Sequence, residues 1–446
     1  MSSWYYGKGF QTSIEAWQSL VHVCRRWRSL VFGSPRRLDL KLFCTPQTPA
    51  KDTLDVWPAL PLIVEGDLAS SNNIVAALEQ SDRIRQVDLR LTSRDLGKVL
   101  APMQVPFPAL TDLHLWSCFE TPAIPDPFLG GSAPRLQRLS LNSISFRGLP
   151  KLLLSATHLT QLYLYSIPHS GYISPQAMVS SLSVLFSLET LLFHFESPQS
   201  RPDREIQSLP PPGRSILPAL IEFHFKGVAE YLEELVTRID TPQLNVIDIR
   251  FFNQIDFDCP RLTQFIDCTP TLKAHDEAHV QFNDGTARVT LKSQTQKIRD
   301  YDILIGISCR EPDWQLSSIE QVCNSSLCLL TTVEHLYIEN RYLLLVWKDE
   351  AIENNLWLEL LFPFTAVKNL YLSKKFAPGI ADALQALARG RMTEVLPSLQ
   401  NIFVGGVEIL ESFQENIAQF IAARRLSGHP IAISDWDGKV LTRTQS

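Results

Sequence analysis

The sequence predicts an α/β fold: a curved parallel sheet with helices on its convex side, built as a solenoid of stacked repeats. Three observations predict it. An apolar signature, L-x-x-L-x-L, recurs along the chain, its successive copies lie 23 to 34 residues apart within each run, and helix signals fall between them. The copies read "RIRQVDLRL", "PALTDLHLW", "PRLQRLSLN", "THLTQLYLY", "FSLETLLFH", "PALIEFHFK" and "PQLNVIDIR". After a weaker middle come "TTVEHLYIE", "TAVKNLYLS" and "PSLQNIFVG". The first apolar position falls at Ile84, Leu110, Leu136, Leu159, Leu188, Leu220 and Leu244, then at Val333, Val367 and Leu399. That is the period of leucine-rich repeats, including their longer, irregular forms.

Within each copy the last apolar residues alternate with polar ones, as in a strand buried on one face. One such strand cannot bury its apolar side alone, whereas stacked copies share a continuous core. The helices between are signalled by their ends. In "ISPQAMVSSLSVLFSL", Ser174 fits an N-cap and Pro175 the first helical position. "APGIADALQALARG" stops at Gly390. Residues 253–330 lose the clean triplet and carry two strand-like runs, "ARVTLKS" and "DILIGIS", which predicts a distorted repeat or a strand-rich insertion. The Pro-rich stretch 196–218 reads as a surface loop.

The chain opens differently. In "EAWQSLVHVCRRWRSLVFGSPRRLDLKLF", Trp17, Leu20, Val21, Cys24, Trp27 and Val31 recur at helical spacing. Thr12 with Glu15 fits a capping box, with Ser13 as the other cap candidate, and Gly33-Ser34-Pro35 ends the helix. "LDLKLF" then alternates like a first strand. The expected divisions are a helical segment over 1–37, a linker and N-terminal capping strand region over 38–82, the solenoid over 83–430, and a C-terminal tail over 431–446.

Composition narrows the function classes. Hydrophobic residues make up 45% and charged residues 20%, a globular balance. The net charge of -6 argues against general nucleic-acid binding. No apolar run reaches the roughly 20 residues that span a bilayer, and no secretory signal is visible, so an intracellular protein of cytoplasm or nucleus is expected. The eight cysteines include no CxxC pair and read as reduced core thiols. "HDEAH" at 275–279 lacks the Glu that a zinc-protease motif needs after its first His, and neither a phosphate loop nor a G-x-S-x-G elbow occurs. Catalytic residues, metal ligands and cofactors are therefore expected to be none. An enzyme hidden in 253–330 around His275 and Asp276 is the remote rival.

The residues between the apolar positions should point out on the concave sheet. Asp112, His114, Trp116, Tyr163, Tyr165, His224, Arg250, Tyr337, Tyr371 and Phe403 are the candidate contacts for a protein substrate. Aromatics on a rigid sheet are what recognition surfaces use. The plainer reading is that aromatics simply favour strands.

"VCRRWRSL" with "WQSLVH" upstream resembles the C-terminal half of an F-box. "GSPRRLDLKLFCTPQTPAKDTLDVWPALPLIV", "GGSAPRL", "LLLSATHL", "IPHSGYISPQAM" and "LWLELLFPFTAVKNLYLS" are similar to the F-box and leucine-rich-repeat-like proteins of mushroom-forming fungi. The resemblance covers nearly the whole chain from about residue 15. It implies a short helical F-box remnant ahead of the solenoid, with Trp17, Leu20, Val21, Cys24 and Trp27 docking on the Skp-type adaptor of a cullin–RING ubiquitin ligase. "MSSWYYGKGFQTSI" stands where the family has Leu-Pro-x-Glu-(apolar)-Leu-x-x-Ile-Phe, so the first half of the F-box is missing. Two roles for the helix stay open: adaptor docking, or capping the end of the solenoid. The expected function is a non-enzymatic substrate receptor of such a ligase, with no nucleic-acid or membrane partner. The alternative is a stand-alone leucine-rich-repeat scaffold that has lost ligase coupling.

Overall fold

Each L-x-x-L-x-L segment forms a strand whose alternate residues are buried, and the strands join into one sheet. The computed structural model describes residues 24–32, 40–47, 49–66, 71–118, 123–198, 214–253, 257, 259–273, 275–293, 301–309, 311–326, 328–340, 354–387, 394–405 and 407–436. Among them the main sheet has 16 strands. From Leu40–Cys44 to Val246–Phe252, neighbouring strands are parallel. From Glu277–Asn283 through His335–Asn340, Asn369–Leu372 and Asn401–Gly405 to Ala432–Trp436 they are parallel again. The inward strand residues share one apolar core with the buried faces of the connecting helices. Successive helices pack on each other as the strands do.

The sheet is wider than the 83–430 expected from the triplets. In the region expected to hold a linker and a capping strand, Leu40–Cys44 and Leu62–Gly66 are the sheet's first two strands, and both alternate buried with half-buried residues. Ala432–Trp436 adds a last strand inside the expected tail. The expected helix after Ser174 is present as Pro175–Leu182, and the Ser174 hydroxyl accepts from the Ala177 N–H at 3.2 Å. The helix Ala377–Ala386 is also present, while Gly390 lies outside the described residues.

The irregular segment expected over 253–330 is a strand-rich insertion, and it interrupts the parallel order. Glu277–Asn283 and Thr286–Lys292 form an antiparallel hairpin, and Thr286–Lys292 is antiparallel to Ile303–Ser308 as well. The chain enters this meander from the far side. Glu277–Asn283 pairs with His335–Asn340, and Ile303–Ser308 returns beside Val246–Phe252. The hairpin loop is Asp284-Gly285, with Gly285 at φ 82°, the left-handed conformation that a two-residue turn demands and glycine adopts without a steric penalty. The helix Pro312–Ser326 then crosses to the next repeat strand.

One part of the core is aromatic. Tyr231, fully buried, has its ring 4.9 Å from Phe195, 5.5 Å from Phe193 and 5.9 Å from Phe225. Its hydroxyl donates to the Ile173 carbonyl at 3.0 Å. Gly227 makes this packing possible, because a Cβ there would come within 2.5 Å of the Phe225 ring. Cys24, Cys44, Cys118, Cys259, Cys268, Cys309 and Cys323 are free thiols, and burial pushes the Cys44 thiol up to about 12.

Candidate functional site

Strand alternation leaves one face of the sheet without helices, and matched register lines its residues into rows. One row joins His114, Ser140, Tyr163, Leu192, His224 and Asp248 across successive strands. The same row continues as His279, Tyr337, Tyr371 and Phe403. The sequence-predicted contacts thus share one open face, with Asp112, Trp116, Tyr165 and Arg250 on the rows to either side.

The row is not uniform. Toward the N-terminal side, Asp112 is 6% exposed and its carboxylate is already committed. Arg138 meets it at 2.5 Å, the Thr111 hydroxyl donates at 2.7 Å and the Gln86 amide at 3.2 Å. Asp112 therefore holds neighbouring strands together rather than presenting a charge to a partner. Trp116 lies under the Arg90 guanidinium at 4.9 Å, and Tyr163 stacks on Tyr165 with centroids 6.0 Å apart.

At the centre sits a charged cluster. Asp248, 3% exposed, accepts from both Nε (2.9 Å) and Nη2 (2.7 Å) of Arg250 and from the Tyr301 hydroxyl at 3.1 Å. His224 lies between Asp248 and Glu222, 3.7 Å from each. Burial alone would raise the Asp248 pKa; His224 and Arg250 outweigh it and hold the carboxyl well below the usual range. Beyond the cluster, Arg288 donates to Gln281 at 2.7 Å and Gln281 donates to Glu339 at 2.9 Å.

The C-terminal part is a ladder of rings. His279, Tyr337, Tyr371 and Phe403 stack in turn at 4.4, 4.2 and 4.6 Å, within 9° of parallel. Trp436 crosses over Gly405 to lie 5.6 Å from Tyr371 and 6.0 Å from Tyr337. Glu277 meets His279 at 2.5 Å, and Asn401 donates to Asn369 at 2.8 Å alongside. The tyrosines, Phe403 and Trp436 are half-buried, so the ladder offers ring edges to solvent.

The histidines of this face divide by environment. Burial would lower His224 and His279, but their paired carboxylates outweigh it and raise both. Burial lowers His114 and His275 and depresses His194 to about 3. The signs oppose one another. The stability from His224 and His279 is fully present below the ordinary histidine value of about 6.5 and is lost as pH rises through their folded values. For the depressed three, stability is lost as pH falls below about 6.5, because the unfolded chain takes up protons the folded chain refuses. Histidine-selective NMR titration should find His224 and His279 changing above the ordinary midpoint and His114, His194 and His275 below it.

His275 and Asp276 precede the strand Glu277–Asn283 rather than lying on a helix, so the two histidines of "HDEAH" have no helical metal-binding geometry. Among the described residues no group of three or more His, Cys, Asp or Glu side chains is placed to hold a metal. No helix among them is long and apolar enough to cross a membrane. Of the predicted adaptor contacts, Trp17, Leu20 and Val21 lie outside the described residues. Cys24 is exposed just ahead of the helix Arg25–Phe32, which leaves Trp27 47% and Leu30 60% exposed. Burial of this apolar stripe against the sheet end, as capping would require, is thus not seen at Trp27.

Sequence reasoning missed His279, Gln281, Arg288, Tyr301 and Trp436. The signal for the first three was there: "EAHVQFN" and "TARVTLK" alternate cleanly, and "NDG" between them is a hairpin turn.

The chain matches no family model and no curated protein. A solved leucine-rich-repeat-containing protein, LegL7 of Legionella pneumophila, is similar to it at 14% identity. The match covers 88% of this chain and 98% of that one, with a TM-score of 0.28. The leucine-rich-repeat-like architecture is carried by the strand order and register described above.

Proposed function

We propose that this chain is a non-enzymatic receptor that recognises a protein partner on the open face of its sheet. The observation that carries the reading is the ring ladder from His279 to Phe403, flanked by Trp436 and by carboxylates. Half-buried aromatics on a rigid scaffold contribute contact area at low entropic cost, which is how hot spots are built. Replacing Tyr337 and Tyr371 together by Ala should lower partner retention in affinity capture by about tenfold or more. Changing the exposed Leu154, on the helical side, should leave retention unchanged. Equal retention by all three proteins would defeat the reading.

The finer form of the proposal couples the receptor to a cullin–RING ligase through a Skp-type adaptor. The exposed Trp27 and Leu30 on the helix Arg25–Phe32 support it, together with the resemblance of "VCRRWRSL" to half an F-box. Holding the substrate near a separate transferase would then be the whole mechanism. The second reading is a stand-alone scaffold, in which the open face of the sheet makes the contacts and Trp27 makes none with an adaptor. Titration calorimetry with a purified adaptor separates them: binding lost on Trp27→Ala supports the ligase form, and no binding leaves the scaffold.

A further inference from the structure

Charge is unevenly placed on the open face. One row runs from His194 through Lys226 and Arg250, over Gly306, to Arg288, on five neighbouring strands. His224 stands beside it, 3.7 Å from both Asp248 and Glu222, which raise its pKa. The fixed cations on the row are Lys226, Arg250 and Arg288; Asp248 pairs with Arg250, and Glu222 lies 3.7 Å from His224. The positive row is thus a local feature of a chain whose net charge is -6.

Two details make the row a seat rather than a scatter of basic residues. Lys226 has no carboxylate partner among the described residues; its ammonium lies 5.3 Å over the Phe252 ring and is pressed by burial and by Arg250. Gly306 places no side chain between Arg250 and Arg288, which stand two strand spacings apart, about 10 Å. An anionic group above Gly306 would lie within reach of both guanidiniums. Asp248 takes the Nε–Nη2 edge of Arg250, leaving Nη1 directed elsewhere. The row is bounded by charge of the other sign, Glu222 beyond His224 and Glu339 beyond Gln281. A short acidic segment fits such a seat, and a long polyanion would be repelled at its margins.

We propose that this row docks an acidic, Glu- or Asp-rich peptide segment of the protein partner, with one carboxylate over Gly306 between Arg250 and Arg288 and another on Lys226. The proposal rests on the receptor reading above and names the chemistry of the partner. It is tested with the full chain by fluorescence anisotropy, using a labelled Glu/Ser peptide, a Lys/Ser peptide of equal length and an oligouridylate of matched charge. The Glu/Ser peptide should bind best, should weaken as salt rises, and should lose about tenfold in affinity with Lys226→Gln and again with Arg288→Gln. Both positions are half-buried on the open face, and circular dichroism checks that the variants fold. Equal or better binding of the Lys/Ser peptide, equal binding of the oligouridylate, or Glu/Ser binding indifferent to both substitutions would overturn the proposal. If a captured partner is lost with the Tyr337/Tyr371 variant and kept by Lys226→Gln and Arg288→Gln, the receptor reading stands and the acidic-segment assignment falls.

Discussion

Asp248→Ala is expected to destabilise the protein by about 3 kcal/mol, among the largest effects of any single change on the open face. The carboxylate is 3% exposed and is the acceptor for two guanidinium hydrogen bonds and one phenol. Its removal leaves the Arg250 charge and the Tyr301 hydroxyl without their acceptor inside the sheet. Exposure of the Arg250 side chain, 33%, lets water repair part of the loss and keeps the cost at the lower end for a broken buried pair. Because stacked repeats interact chiefly with their neighbours, the loss should be local. Hydrogen exchange should quicken in Glu222–Gly227, Val246–Phe252 and Ile303–Ser308 and remain unchanged near Leu40–Cys44. The Asp248→Ala/Arg250→Met double variant should recover part of the stability, since it removes the orphaned charge. The sign with pH is fixed by the depressed Asp248 carboxyl. Its contribution is complete above the unfolded value of about 4 and fades as pH falls toward the folded value, so wild type and variant should converge in acid. A loss below about 1 kcal/mol at neutral pH would mean that the cluster is merely tolerated by the sheet.

What the sequence made legible follows from how each strand is specified. Where a strand belongs to a repeat, local spacing decides both its place and its facing. Leu113 and Leu115 go inward and His114 outward because of alternation alone, and register then aligns His114 with Ser140. The meander at 277–308 obeys a different rule. Its strands are inserted by a hairpin and a reversed order of pairing, neither of which leaves the repeat signature. Alternation still marks the facing of His279, Gln281 and Arg288, but their cross-sheet neighbours, and the Tyr301 that reaches Asp248 from 53 positions away, follow from pairings that local spacing does not show. Asp112 shows the converse limit. Alternation places it on the open face correctly, but only the next strand, bringing Arg138, decides that its carboxylate is used up within the fold. Trp436 needed two pieces of non-local knowledge, that a further strand follows the last triplet and that Gly405 beside it leaves room for a large ring.

Tyr231→Ala should cost about 4 kcal/mol, with Tyr231→Phe costing only about 1. The difference separates what the ring does from what the hydroxyl does. The ring fills the space between Phe193, Phe195, Phe225 and Tyr172, so truncation leaves a cavity that four rigid side chains cannot readily close. The hydroxyl satisfies the Ile173 carbonyl, 58 positions earlier, and so ties the helix Ala229–Val236 to the segment that leads into Pro175–Leu182. Phe at this site keeps the packing and leaves one buried acceptor unpaired, a smaller penalty. Urea denaturation followed by near-ultraviolet circular dichroism checks both values. The spatial consequence is the sharper test. These rings lie beneath the strands that present His194, His224 and Lys226, so loosening the core here should disturb the positive row above it while leaving the distant Tyr371–Phe403 stack intact. A Tyr231→Ala protein that weakens acidic-peptide binding, yet retains the environment of Trp436, would show that the open face is held in place segment by segment from the core below.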